Sequence, residues 1–284
     1  MTAHLSWNLV SDVRQLLQFP FMVNALRAGT IVAVVAGAIG YFMVLRRESF
    51  AGHTLALVGF PGAAGATWLG VNEGFGFFGF CILGAVVIAA LPGGRAREQS
   101  AVIGTVQSFA LASGLLFVSL YHGFLTGLND MLFGTIIGIT STQVLTLLIA
   151  GVIALVVLAV IARPLLFASI DADVARARGV RVRVVGALFL LLLGIAAAGT
   201  SQVTGSLLVF ALLVAPAATA IRLTASPVAG VTLSVVIALV VTWLGEGVAY
   251  FSPYPIGFWV TTFAFALFLL ASGWRALADR RLAC

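Results

Sequence analysis

The feature that most constrains this chain is a succession of apolar runs, most of them long enough to cross a lipid bilayer. A helix needs roughly 20 apolar residues to span the hydrocarbon core, and shorter runs can be tilted, broken or packed against neighbours. The runs lack the alternation typical of membrane-barrel strands, so helices are expected. They cover residues 22–45, 50–70, 75–91, 101–120, 141–162, 185–200, 205–221, 227–248 and 256–273.

We therefore predict an all-α polytopic membrane protein with eight or nine transmembrane helices. Of the 284 residues, 62% are hydrophobic and 8% are charged, whereas soluble domains are about half apolar and a quarter charged. We expect a single domain over residues 1–284, with about 21–273 in the membrane. Because no small-residue cleavage site follows a short N-terminal apolar segment, we expect the first run to remain in the mature protein.

The fifteen basic residues, all of them arginines, indicate orientation rather than nucleic-acid binding. They lie at the ends of apolar runs, and a surplus of basic residues in short loops is typical of the cytoplasmic side. The intervening loops carry few charges, such as Glu73 and Asp130. We expect a cytoplasmic C-terminus and an outer N-terminus, although Arg14 and Arg27 blur the second assignment. The clusters are Arg46/Arg47, Arg95/Arg97, Arg163 to Arg183, Arg222 and Arg275/Arg280/Arg281.

Small residues recur at a spacing that favours close helix packing. Gly29, Ala33 and Gly37 follow one another every four positions, as do Gly134 and Gly138. Small residues at this spacing let helices approach each other closely in lipid.

The segment 169–183 concentrates charge between two apolar runs. Asp171 is suited to the N-cap of a short helix and Asp173 to its first turn, while Arg176 and Arg178 fall in the last turn and Gly179 suits the C-cap. These positions predict a cytoplasmic helix of about two turns whose charges complement its dipole.

Two interpretations of this helix remain open. Ile170, Val174 and Ala177 share one face by three- and four-residue spacing, so the helix can present an apolar strip to a cytoplasmic partner. The alternative is a solvated loop whose basic residues only fix the topology. Nucleotide hydrolysis is expected to belong to another chain, because no phosphate-binding G-x-x-x-x-G-K-[ST] motif occurs and the chain has no lysine.

The segment "SIDADVARARGV" resembles the "sFDpelAralGv" element of permease subunits of ATP-binding-cassette importers for zinc, manganese and chelated iron. Five further segments resemble that family in the same order, from about residue 21 to 272. They include "GYFMVLRRESFAGHTLALVGFPGAA", "REQSAVIGTVQSFALASGLL", "MLFGTIIGITSTQV" and "TSQVTGSLLVFALLVAPAATAIRLT".

The resemblance implies a homodimer in the bacterial plasma membrane, with the translocation path between the copies. Two cytoplasmic ATPase subunits would lie below it and an extracytoplasmic metal-binding protein above it. The chain itself would bind no cofactor, ATP would bind to the partner, and zinc or manganese would be the cargo. The coupling helix for the ATPase would comprise Asp171, Asp173, Val174, Ala175, Arg176, Ala177, Arg178 and Gly179.

The sequence departs from the family at two positions expected to hold metal ligands. The family carries an aspartate and, four residues on, a histidine, where this chain has His53 and Leu57. An aspartate that often precedes a proline-glycine element is replaced by Pro253. The resemblance therefore does not imply an enclosed site with four protein ligands.

Two polar residues remain as candidates for the metal path. Imidazole is a good ligand for zinc and other transition metals, so His53 is either a path ligand or a hydrogen-bonded packing residue. Glu246 lies near the outer end of an apolar run, where an ionisable group is a functional candidate or an interfacial carboxylate in water.

Other classes of transporter and enzyme stay open as alternatives. A related permease for an iron-siderophore or cobalamin chelate is the second possibility. A proton-coupled secondary transporter would need a relay of membrane-embedded carboxylates, for which only Glu246 is available. An intramembrane enzyme would need a catalytic motif such as H-E-x-x-H, which the sequence lacks.

Overall fold

The computed structural model describes residues 15–91, 96–121, 134, 138–206 and 209–282, without the side chains of 96–99 and 279–282. The described residues form helices and connecting turns, with no strand among them. The helices are α1 (Pro20–Leu45), α2 (Ser49–Trp68), α3 (Glu73–Ala90), α4 (Ala96–Leu120), α5 (Ser141–Ile170), α6 (Ala172–Ala177), α7 (Val182–Thr204), α8 (Val209–Leu223), α9 (Pro227–Tyr250) and α10 (Ile256–Leu282).

The predicted fold class, an all-α polytopic membrane protein, is confirmed. Within the described ranges, seven helices are long and apolar enough to cross a membrane: α1, α3, α4, α5, α7, α9 and α10. Two more helices complete the bundle, the 15-residue α8 and the 20-residue α2. The seven candidate spans and the shorter apolar α8 are the described helices that support the predicted polytopic fold.

Helix α5 extends beyond the apolar run from which it was predicted. The run ends at residue 162, but α5 continues through Arg163 and Pro164 to Ile170. At 1.5 Å per residue, its 30 residues measure about 45 Å, more than the roughly 30 Å of a hydrocarbon core. Helix α5 is therefore longer than an untilted span requires, and α6 follows its C-terminal end.

Helix α1 lies at the centre of the bundle and packs closely against the antiparallel α9. The hydroxyl of Ser234 on α9 donates a hydrogen bond of 2.7 Å to the carbonyl of Gly37. A Cβ at Gly37 would fall 2.7 Å from the Cα of Val235, so the two backbones are nearly in contact. The prediction from the Gly29, Ala33 and Gly37 spacing is confirmed, since all three are buried in this helix.

The same prediction for Gly134 and Gly138 was wrong. Their φ angles are 76° and 115°, which are outside the range of a right-handed helix. Gly134 instead lies against the backbone of Val203 and Thr204 at the end of α7, where a side chain would not fit. Neither glycine therefore lies on the face of a right-handed helix.

Candidate functional sites

The charged segment folds into the short helix α6 with a complete set of caps. The carboxylate of Asp171 accepts hydrogen bonds from the backbone N–H groups of Asp173 and Val174, both at 3.0 Å. At the other end, Gly179 has a φ of 83° and its N–H donates to the carbonyl of Arg176 at 3.0 Å. The next N–H, of Val180, donates to Ala175 at 3.0 Å. These two bonds around a left-handed glycine satisfy carbonyls that a helix end leaves free.

Helix α6 presents both charge and apolar surface to solvent. Asp173 and Arg176 form an exposed ion pair of 2.6 Å, which contributes little to stability at such exposure. Val174 is 46% exposed on α6, and Ile170, the last residue of α5, is 73% exposed. Because the extended Asp171 separates Ile170 from α6, the single helical face predicted through Ile170, Val174 and Ala177 does not form. Ala175, on the opposite side, is fully buried and holds the helix to the bundle.

A half-buried ion pair connects the turn between α1 and α2 to α7, the helix that follows α6. The guanidinium of Arg46 donates hydrogen bonds of 2.6 and 3.1 Å to one carboxylate oxygen of Glu48. The same guanidinium lies 5.4 Å from the centre of the Phe189 ring on α7, within the range of a cation–π contact. Arg46 therefore contacts both α7 and the residue that precedes α2.

Glu246 is fully buried in the contact between α9 and α1. Its exposed fraction is 0%, and its carboxylate lies against Gly29, where a Cβ would collide with it. Neither carboxylate oxygen has a hydrogen-bond partner, and the buried hydroxyl of Thr242, one turn earlier, also lacks one. Of the two interpretations offered by the sequence, the water-exposed interfacial carboxylate does not fit this enclosure. Thr242 and Glu246 are four positions apart on α9 and share a helix face; this spacing could have identified Thr242, which the sequence analysis missed.

His53 lies near the start of α2, in a half-buried position. Its imidazole makes an edge contact with the ring of Phe210 on α8, with centroids 5.3 Å apart. Leu57, one turn further along, is buried and offers no ligand atom. The neighbouring Thr54 donates a hydrogen bond of 2.9 Å to the side-chain oxygen of Gln107 on α4, a polar contact that the sequence analysis missed.

The structure does not bring His53 and Glu246 together. Gly52, next to His53, lies against Met43 of α1, whereas Glu246 lies against Gly29 of the same helix. Fourteen positions of α1 separate these two levels, which is about 20 Å along the axis. In the part of the chain that the structure describes, no three His, Cys, Asp or Glu side chains are grouped as a metal site would require. In this structure His53 and Glu246 of one copy therefore cannot bind the same ion.

The other residues singled out by the sequence lie away from these positions. Pro253 is exposed in the turn between α9 and α10. Glu73 is the first residue of α3 and accepts a hydrogen bond of 3.2 Å from the hydroxyl of Thr67. Arg14, Arg95 and Asp130 lie outside the described residues, as do the side chains of Arg97, Arg280 and Arg281.

Comparison with protein families identifies the type of chain that carries these features. The model of the ABC 3 transport family matches residues 18–275, which include α1 to α9 and most of α10. The chain belongs to this family. All the candidate positions, from His53 to Glu246, lie within the matched region of the ABC 3 family.

Individual ABC 3 relatives resemble the chain over most of its length. The manganese import system permease protein ScaB of Streptococcus parasanguinis is 33% identical over 205 residues, 72% of this chain and 73% of that protein. The chelated iron transport system membrane protein YfeC of Yersinia pestis is 31% identical over 210 residues, 74% and 71% of the two chains. PsaBC from Streptococcus pneumoniae, solved in complex with Fab, superposes with a TM-score of 0.83 at 28% identity, covering 93% of this chain and 95% of that one.

Proposed function

We propose that this chain is the permease subunit of an ATP-driven importer of divalent transition-metal ions, manganese or zinc. Two copies would form the path in the bacterial plasma membrane, with the C-terminus in the cytoplasm. Two ATPase subunits and an extracytoplasmic metal-binding protein would complete the transporter. The observation that carries the proposal is the capped helix α6, which presents exposed Val174 directly after the apolar span α5 of an ABC 3 family chain.

The contacts of α6 support a role in coupling to the ATPase. It follows directly after α5. The carboxylate of Asp171 caps its first turn by accepting from the N–H groups of Asp173 and Val174, which fixes the start of the helix. A short capped helix with an exposed apolar side chain, Val174, is suited to a cleft in a soluble partner. Its motion would pass to α7 and then, through Phe189 and Arg46, to the start of α2.

We propose that His53 contacts the ion during passage. It lies on α2, five positions after Glu48, and so would move with the turn that Arg46 connects to α7. A single imidazole, with Leu57 in place of a second ligand, holds an ion weakly, and transport requires binding that can be released. Recognition would then reside in the binding protein.

Glu246 is a second proposed contact, reached only in another state of the transport cycle. Its carboxylate is enclosed between α9 and α1, so an ion can meet it only if these helices separate near Gly29. Carboxylate and hydroxyl oxygens suit manganese, which favours Glu246 with Thr242 as an oxygen site for that ion.

Chelated iron is the second candidate cargo, because YfeC, a chelated iron transport system membrane protein, is 31% identical to this chain. The distinguishing experiment is ATP-dependent uptake by proteoliposomes that contain this chain with its ATPase and binding protein. Uptake of free manganese or zinc is the expected result. Transport of an iron chelate alone would replace the proposed cargo, and ATP-independent uptake would contradict the importer assignment.

A further inference from the structure

A groove of about 700 Å³ opens on the outer surface of the bundle between α1, α5 and α9. Its walls are apolar, with Leu26 and Ile31 from α1 and Leu148 from α5. The volume falls within the roughly 300–1,000 Å³ typical of small-molecule sites. In a membrane bundle, such a groove is filled by a lipid chain or by another protein.

One charged side chain, Arg27, lines this groove. Arg27 is exposed, and within the described residues the two ion pairs are Arg46–Glu48 and Asp173–Arg176, so Arg27 has no carboxylate partner there. It lies seven positions after the first residue of α1, which is about 10 Å along the helix. A long arginine side chain at that depth can reach toward the lipid headgroups.

The neighbours of Arg27 are those of a headgroup site. The indole N–H of Trp243 donates a hydrogen bond of 2.9 Å to the hydroxyl of Thr30, and both residues line the groove with Arg27. Tryptophan is enriched where a bilayer meets water, and an arginine near a helix end can extend to that interface. Gly247, next to them, leaves the groove open, since a Cβ there would meet nothing within 4 Å.

We propose that this groove binds an anionic phospholipid, with its phosphate at Arg27 and an acyl chain along the apolar walls. The charge complementarity favours an anionic lipid over a zwitterionic one, because a zwitterionic headgroup brings its own cation. A second copy of the chain would need to supply an anion at Arg27 and is the competing occupant.

The test measures lipid retention by the purified full chain in detergent, with phosphatidylglycerol or phosphatidylcholine added in turn and bound lipid counted by native mass spectrometry. Wild type should retain more phosphatidylglycerol. In Arg27→Gln the ratio of retained phosphatidylglycerol to phosphatidylcholine should fall about fivefold, the effect of one arginine near an anionic surface. Arg163→Gln, which changes another exposed arginine, should leave this ratio as in wild type. Gly247→Leu should fill the groove and reduce retention of both lipids, whereas Gly273→Leu, an exposed helix glycine with equally open space, should not.

Three results would overturn the proposal. The first is equal retention of both lipids by wild type, a result that does not depend on whether any variant folds. Arg27→Gln could keep the preference for phosphatidylglycerol. A cysteine introduced at Leu148 could cross-link to a second copy in the membrane, which would show that protein occupies the groove.

Discussion

The carboxylate of Glu246 on α9 lies directly against Gly29 on α1, and no other residue type leaves room for it. The pairing places a carboxyl without a hydrogen-bond partner inside a close contact between two helices. Burying such a group unpaired is unfavourable, so the position has a function or imposes a constraint on what α1 and α9 can do.

Gly29→Ala tests whether this contact is as close as the structure shows. The added methyl group would collide with the Glu246 carboxylate, and overpacking of this kind costs on the order of 1–3 kcal/mol. We expect a lower midpoint of thermal unfolding in detergent. Gly104→Ala, on α4 with nothing within 4 Å of the new Cβ, is the matched control and should be neutral or slightly stabilising. Equal midpoints for both variants would contradict the packing of α1 on α9.

Glu246→Gln separates a role in transport from a role in packing. Glutamine keeps the shape and removes the charge, so the variant should fold with a stability within about 1 kcal/mol of wild type. If the carboxylate contacts the ion, manganese uptake should fall while the permease remains abundant in the membrane. Thr242→Val, which removes only the neighbouring hydroxyl, should give a smaller reduction. Wild-type uptake by Glu246→Gln would assign Glu246 a structural role alone.

The sequence predicted the course of the chain better than the neighbours of its polar groups. Apolar runs depend on local composition, so each of the nine corresponds to a helix, although α5 and α10 continue well past the ends of their runs. The glycine spacing correctly predicted the close face of α1. It could not reveal that Glu246 fills that face, because the helix opposite α1 lies about 200 positions away in the chain.

The hydrogen bond between Thr54 and Gln107 is another contact between helices that the sequence could not predict. The bond between Thr54 and Gln107 joins helices α2 and α4, and neither residue stands in a pattern that points to the other. In contrast, the caps of α6 were predictable, since Asp171 and Gly179 act on backbone groups only a few residues away. Local hydrogen bonds can be inferred from sequence, whereas contacts between helices depend on the packing.

The orientation of the bundle can be tested by thiol labelling. After replacement of the native cysteines, a cysteine at exposed Ala177 on α6 should resist an impermeant reagent in intact cells, because arginine-rich loops are expected to face the cytoplasm. A cysteine at Tyr254, which is 60% exposed in the turn after α9, should react. Both should react once the membrane is permeabilised. The reverse pattern in intact cells would contradict the proposed orientation and, with it, the placement of the ATPase.

Charge reversal on α6 tests coupling. In the double variant Arg176→Asp and Arg178→Asp, acidic groups replace basic ones at the helix C-terminus, where the dipole disfavours them. Both side chains are exposed, so the membrane fold should be preserved while the ATPase binds at least about tenfold more weakly, as when contact residues are lost from an interface. Co-purification of the ATPase and metal uptake should both fall at normal permease abundance. The double lysine variant is the control and should retain both; unchanged behaviour of the aspartate variant would leave α6 as a marker of topology.

The metal path is tested by one variant that removes a proposed ligand and one that adds a ligand. His53→Ala should reduce manganese or zinc uptake in whole cells, since His53 is the proposed contact on α2 and Leu57 provides no substitute. Leu57→His places a second imidazole one turn from the first, on the same face of the helix, and should increase the affinity of the purified permease for the metal while slowing its release. Leu57→Met, a substitution of similar volume in this buried position, controls for changes in packing. If His53→Ala transports at the wild-type rate, the contact with Phe210 is the whole role of His53, and the ion must pass by other groups.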